Sequence, residues 1–182
     1  MTKNEFENNS LVLIILLGYI FNLLLGWIGF LYTHGSSEQL FLFQVGNAFA
    51  ISASVMAARY IGLRGEHVAA SAYILLGITH GISLSALGKT GINVDREATM
   101  AMPMIPGLIF IFWCDLCPMW VRVLSIVPSI LFATVYTTVH LGETQLGWTL
   151  YAGYATLQMI EVIWGIYLYK DWKKINAKKA VA

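Results

Sequence analysis

Residues 11–33 have the sequence LVLIILLGYIFNLLLGWIGFLYT and contain no charged side chain. A helix rises about 1.5 Å per residue, so roughly 20 such residues are needed to cross about 30 Å of hydrocarbon. This stretch therefore predicts a transmembrane helix and decides the fold class. Residues 1–10 lack the basic segment of a secretory signal, so we expect the helix to be retained rather than cleaved.

The composition of the whole chain agrees with a membrane protein. Of its 182 residues, 58% are hydrophobic and only 12% are charged, whereas soluble domains have about 25% charged residues. So few charged residues cannot cover a globule in water. The net charge of +1 argues against a basic nucleic-acid surface, so no nucleic-acid partner is expected. Two cysteines do not form a disulfide framework.

Five further apolar stretches are long enough to cross a bilayer. Together with the first, they predict an all-α integral membrane bundle of six transmembrane helices. The predicted spans are residues 11–33, 40–63, 67–87, 98–117, 119–141 and 147–169. Because the connections between them are short, residues 1–182 are predicted to form a single transmembrane domain.

The distribution of Lys and Arg predicts the orientation of the bundle. One side of the bundle has most of them: Lys3, Arg59, Arg64, Arg122, Lys170, Lys173, Lys174, Lys178 and Lys179. The opposite side has only Lys89 and Arg96. Since positively charged segments stay in the cytoplasm, both termini are expected there, and the expected location is a bacterial cytoplasmic (inner) membrane.

The last predicted span has a polar face, although lipid does not tolerate polar side chains that face it. Steps of four and three residues place the following residues on one side of a helix: Gly147, Tyr151, Tyr154, Gln158, Glu161 and Gly165. Glu161 is the only carboxylate deep inside a predicted span. At that depth a carboxylate requires a proton, a partner or a wet cavity.

Other spans have polar residues at a similar depth, counted at about 1.5 Å per residue from the span ends. Asn22, Asn47 and His80 are expected to join Gln158 and Glu161 in one polar cluster near the midplane. The candidate ligand- or proton-binding residues are Glu161, His80, Gln158, Tyr154, Tyr151, Asn47 and Asn22. If Glu161 and His80 meet, they form a proton-sensitive pair that can relay protons, gate a pore or hold a cationic or hydrogen-bonding ligand. In the alternative interpretation these residues only form interhelical hydrogen bonds, each worth about 0.6–2 kcal/mol.

Two further motifs bear on function. Cys114 and Cys117 have the spacing of a redox dithiol or half a zinc site, but the second half is missing and a reducing cytosol disfavours a disulfide. A tight turn with two semi-buried thiols is therefore expected, with no metal, cofactor or catalytic residue. Pro103, Pro106 and Pro128 interrupt the fourth and fifth spans and are expected to bend them.

Three functions remain open from these residues. The leading hypothesis is a protein that binds or transports a small solute or protons at a midplane polar site. The second is a non-catalytic subunit of a larger membrane complex, which the short loops and small-residue faces favour. The third is an intramembrane enzyme that acts on a lipid or quinone. The expected partners are the lipid bilayer, a small-molecule ligand, and either further copies of the chain or subunits of a membrane complex.

Overall fold

The computed structural model describes residues 9–88, 91–142 and 147–181, which are almost entirely helical. The helices are α1 (Asn9–Gly29), α2 (Ser37–Leu63), α3 (His67–Ala86), α4 (Val94–Phe110), α5 (Met119–Leu124), α6 (Ile126–His140) and α7 (Trp148–Val181). A 3₁₀ turn, Ile111–Trp113, follows α4. Between α3 and α4, a two-residue ribbon pairs β1 (Leu87–Gly88) with β2 (Gly91–Ile92) in antiparallel fashion.

The predicted all-α class is confirmed, and four segments are long and apolar enough to cross a membrane. They are Leu11–Gly29, Ser37–Leu63, His67–Ala86 and Met119–His140. The other two predicted spans fall short for different reasons. Helix α4 has only 17 residues, and α7 has 34 residues but is made polar by its tyrosines, its glutamine and its acidic and basic residues. Passage of α4 and α7 through the bilayer, and the cytoplasmic termini, stay predictions.

The helix bounds differ from the predicted spans where a specific residue changes the backbone. The predicted span 119–141 is two helices separated at Ser125. Pro128 has no N–H to bond the carbonyl of Leu124, so α5 ends there. By contrast, α4 is continuous through Pro103 and Pro106.

At its C-terminal end, α7 continues past the predicted end at residue 169. The carboxylate of Asp171 there accepts hydrogen bonds from Tyr60 at 2.7 Å and from Arg64 at 2.9 and 3.2 Å. These contacts attach the extended part of α7 to the end of α2.

The helices close into a ring. Each packs against its neighbours in the order α1, α2, α3, α4, α6, α7, and α7 packs back against α1. In this order α3 and α7 stand opposite each other. Side chains from these two helices can therefore meet only in the middle of the ring.

The ring has apolar side chains on its outside and charged groups within it. On α1, Leu13, Leu17 and Leu24 are 41–49% exposed, whereas Glu97 and Glu161 are 2% and 0% exposed. Exposed apolar belts of this kind are rare on proteins that live in water. The arrangement therefore indicates a membrane-embedded protein whose outer surface contacts lipid.

Small residues allow α1 and α2 to approach closely. A Cβ atom added to Gly18 would lie 2.8 Å from the Cβ of Ala53 and 3.1 Å from the carbonyl oxygen of Phe49. Helices in lipid associate by such close packing rather than by a hydrophobic effect. Gly18 is therefore needed for its small size.

Replacing Gly18 with Ala is expected to lower the stability of the purified protein by about 1–3 kcal/mol, because the added methyl group pushes α1 away from α2. Thermal unfolding in detergent measures the change. The matched control is Gly81→Ala, since a Cβ at Gly81 meets no atom within 4 Å. Equal stability of the two variants would contradict the close packing of α1 on α2.

Candidate functional site

His80 of α3 and Glu161 of α7 meet in the middle of the ring. Nε2 of His80 lies 2.7 Å from Oε1 of Glu161. Their exposed fractions are 1% and 0%. Since α3 and α7 are opposite each other, this hydrogen bond spans the ring.

Two asparagines complete the surroundings of this pair. The amide nitrogen of Asn22 on α1 donates to Oε2 of Glu161 at 2.9 Å. On α2, Oδ1 of Asn47 lies 2.9 Å from Nδ1 of His80. Both ring nitrogens of His80 and both carboxylate oxygens of Glu161 thus have partners, and we call these four residues the His80–Glu161 network.

The orientation of Asn47 determines how many protons the network holds. The amide nitrogen of Asn47 donates to the carbonyl of Phe43 at 2.9 Å, so its oxygen faces His80 and Nδ1 of His80 has a proton. One further proton lies between Nε2 and Glu161. The pair is then neutral overall, whether it is an imidazolium beside a carboxylate or an imidazole beside a carboxylic acid.

A second polar cluster surrounds Glu97, in the first turns of α4. The hydroxyl of Tyr154 donates to Oε2 of Glu97 at 2.7 Å, and that of Ser83 donates to Oε1 at 2.9 Å. The two hydroxyl oxygens lie 2.6 Å apart. We call Glu97, Ser83 and Tyr154 the Glu97 cluster.

Glu97 was not among the residues singled out from the sequence, because it comes just before the predicted span 98–117. Two signals indicate it. Asn93 caps α4 by accepting from the backbone N–H of Arg96 at 3.0 Å, so the helix begins at Val94 rather than at residue 98. Helical spacing from Glu97 to Ala101, Met104 and Leu108 then places Glu97 on the buried face of α4.

A cavity lies between the His80–Glu161 network and the Glu97 cluster. The volume open to the centres of water molecules is about 40 Å³. All of the predicted site residues except Glu161 line this cavity: Asn22, Asn47, His80, Tyr151, Tyr154 and Gln158. Ser83, Glu97 and several apolar residues complete the lining. Roughly 10–15 Å³ of such volume accommodates one water, so the space suits a few waters or one small solute.

Gln158 has an unsatisfied oxygen at this cavity. The side chain is 6% exposed, and its Oε1 has no hydrogen-bond partner among the residues that the structure describes. A Cβ on Gly26 of α1 would lie 2.8 Å from this oxygen. The Gln158 side chain can therefore occupy this position only because residue 26 is a glycine.

Tyr151 marks the side from which the cavity is reached. Its hydroxyl lies 2.9 Å from Nδ1 of the exposed His34, in the segment that follows α1. Its ring packs edge-on against Phe30, with centroids 5.4 Å apart. Both Tyr151 and Phe30 line the cavity, so the mouth lies at the end of the ring where α1 ends and α2, α4 and α7 begin.

Cys114 and Cys117 lie apart from this site, in the turn that precedes α5. Both thiols are buried and free. Within the ranges that the structure describes, no three His, Cys, Asp or Glu side chains gather to hold a metal ion.

Replacing Glu161 with Leu is expected to destabilise the protein by about 1–3 kcal/mol for each buried partner left unpaired, here His80 and Asn22. Glu161→Gln should cost much less, because its amide oxygen can accept from Asn22 and its amide nitrogen can donate to His80. Thermal unfolding in detergent compares the two variants. If Glu161→Gln is as unstable as Glu161→Leu, the contribution of Glu161 to stability does not come from its hydrogen bonds.

Comparison with known proteins gives no external guide to this site. The chain matches no protein-family model, and searches of curated proteins and of solved structures returned no match. A fold alone does not imply a function. The chemistry of the cavity and its wall is therefore the basis for a functional assignment.

Proposed function

We propose that this protein binds a small solute or protons in the cavity between the His80–Glu161 network and the Glu97 cluster, and moves them across the membrane. The observation that supports the proposal is the cavity itself. It is a space for a few waters, lined by polar as well as apolar side chains and enclosed by helices whose outer surfaces are apolar. Ionisable residues within such a bundle are costly and mark solute or proton pathways.

Interhelical hydrogen bonding alone explains only part of this arrangement. It accounts for the His80–Glu161 network, in which every side-chain nitrogen and oxygen of the pair is satisfied. It does not account for the space beside that network, because protein interiors pack with few voids larger than a water molecule. Nor does it account for the unpartnered oxygen of Gln158, since buried polar atoms normally find a partner.

The proposal includes a six-span arrangement in a bacterial inner membrane with both termini in the cytoplasm. The support is the predicted excess of Lys and Arg on one side. In this orientation the mouth formed by Tyr151 and Phe30 faces away from the cytoplasm. The free thiols of Cys114 and Cys117 then lie near the cytoplasmic ends of the helices.

A larger side chain at position 26 tests whether the solute passes through the cavity. Gly26→Val is expected to push Gln158 into the cavity and to reduce transport at least about tenfold, because the solute then competes with a protein side chain for the same space. Protein reconstituted into liposomes would be assayed for proton flux with an internal pH dye, and for uptake of labelled small solutes.

Gly81→Val is the matched control, because this position has no neighbouring atom within 4 Å of an added Cβ. It should retain wild-type flux. Wild-type flux in folded Gly26→Val would contradict a transport role for the cavity. Loss of all activity from the isolated chain, with a stoichiometric partner protein co-purifying, would favour the alternative role as a subunit of a membrane complex.

A further inference from the structure

We propose that the cavity binds one small monovalent cation, an alkali-metal ion or an ammonium ion, with Glu97 as its anionic ligand and Gln158 as its neutral oxygen ligand. This inference rests on the proposed function, in which the cavity takes up a small solute. It adds the charge and the size of that solute. It also assigns the central role to a carboxylate other than Glu161.

The wall of the cavity contains one charged group whose charge is not balanced by a described neighbour. The His80–Glu161 pair holds one shared proton and is neutral, and Glu161 does not itself line the cavity. Glu97 does line it, at 2% exposure. The side chains that hydrogen-bond Glu97 within the described ranges, Ser83 and Tyr154, are both neutral. The charge of the cavity therefore depends on what neutralises Glu97.

The Glu97 cluster has fewer protons than short contacts. Its oxygens make three short contacts, at 2.6, 2.7 and 2.9 Å. Each hydroxyl has one proton, and both of these protons are donated to Glu97. The 2.6 Å contact between Ser83 and Tyr154 is thus left without a proton. One positive charge completes the cluster, either as a proton on Glu97 or as a cation held by these oxygens.

The side-chain oxygen of Gln158 is a second feature of the cavity, independent of Glu97. Gln158 lies on α7, one helical turn from Tyr154, and lines the same cavity, and its Oε1 has no hydrogen-bond partner within the described ranges. A buried amide oxygen without a donor is a ligand for a cation or for an N–H group. Carboxylate, amide and hydroxyl oxygens together form a hard donor set.

The size and the remaining lining select a monovalent ion. A volume of about 40 Å³ admits one small ion with a few waters. One uncompensated carboxylate balances a single positive charge. Neither nitrogen of His80 is free to bind a transition metal, because both are occupied by Asn47 and Glu161. Phe30 and Phe43 also line the cavity, and aromatic rings favour ammonium-type cations.

The test uses full-length protein in detergent, in a buffer whose only other cation is the large N-methylglucamine. Sodium, potassium, ammonium or methylammonium chloride replaces N-methylglucamine chloride at constant ionic strength, and the unfolding temperature is followed. We expect at least one of these cations to raise it in a saturable manner, because a ligand that binds only the folded state stabilises that state. The identity of that cation separates a metal ion from an ammonium.

Glu97→Gln is expected to remove this cation-dependent shift. In buffer without small cations it should be at least as stable as the wild-type protein, because the amide supplies protons that the Glu97 cluster lacks. A purely structural Glu97 would instead show lower stability in every buffer. The matched control Asp95→Asn removes an exposed carboxylate from the first turn of the same helix and should keep the wild-type shift. Gln158→Met should show a smaller cation-dependent rise in unfolding temperature than the wild-type protein.

Each outcome bears on the proposal separately from the proposed function. A saturable shift lost in Glu97→Gln but kept in Asp95→Asn supports cation binding. No shift with any of the four cations overturns it, as does a shift that persists in Glu97→Gln. In both of these cases, loss of liposome flux in Gly26→Val would leave the proposed function standing, with a neutral solute or protons as the transported species. Wild-type flux in Gly26→Val would overturn the proposed function itself.

Discussion

The hydrogen bond between His80 and Glu161 is the interaction on which the interior of this protein depends. It joins opposite helices, α3 and α7, across the middle of the ring at 2.7 Å. A buried imidazole or carboxylate atom without a hydrogen-bond partner strongly destabilises the folded state. The other nitrogen of His80 and the other oxygen of Glu161 therefore also need partners. Asn22 and Asn47 supply those neighbours, and four helices are thereby held in one register.

This network requires space, and glycines on the facing helices provide it. A Cβ on Gly46 would lie 3.2 Å from Oδ1 of Asn22, and one on Gly26 would lie 2.8 Å from Oε1 of Gln158. Polar side chains on one helix and glycines on the next are therefore complementary features. In lipid this complementarity matters more than in water, because close packing and hydrogen bonds are the forces that associate helices.

Two buried carboxylates have different surroundings within one bundle. Glu161 has an imidazole and an amide as partners, so its network is complete and electrically neutral. Among the described residues, Glu97 has two neutral hydroxyl groups as its hydrogen-bond partners, so this cluster lacks one positive charge. When environments separate two acidic groups in this way, they are suited to different roles. In our proposal, Glu161 holds the helices together and Glu97 receives a proton or a cation.

The interpretation of α7 from sequence depended on local information. Steps of three and four residues are a property of any α-helix, so Tyr151, Tyr154 and Gln158 had to share a face wherever the helix was placed. The structure places these residues in the wall of one cavity, with Asn22, Asn47 and His80 from three other helices. Their shared depth could be estimated because a helix rises by a constant amount per residue.

The sequence by itself determined the helical class, the apolar outer surface and the polar face of α7, because composition and periodicity are local properties. Only the tertiary structure decided that the ring closes with α3 opposite α7, since that order depends on packing between distant segments. It also decided the burial of Glu97, whose neighbours Asp95 and Arg96 gave it the character of a loop residue. The partners of Glu97 come from α3 and α7. A local sequence pattern cannot predict which carboxylate is buried when distant helices pack together.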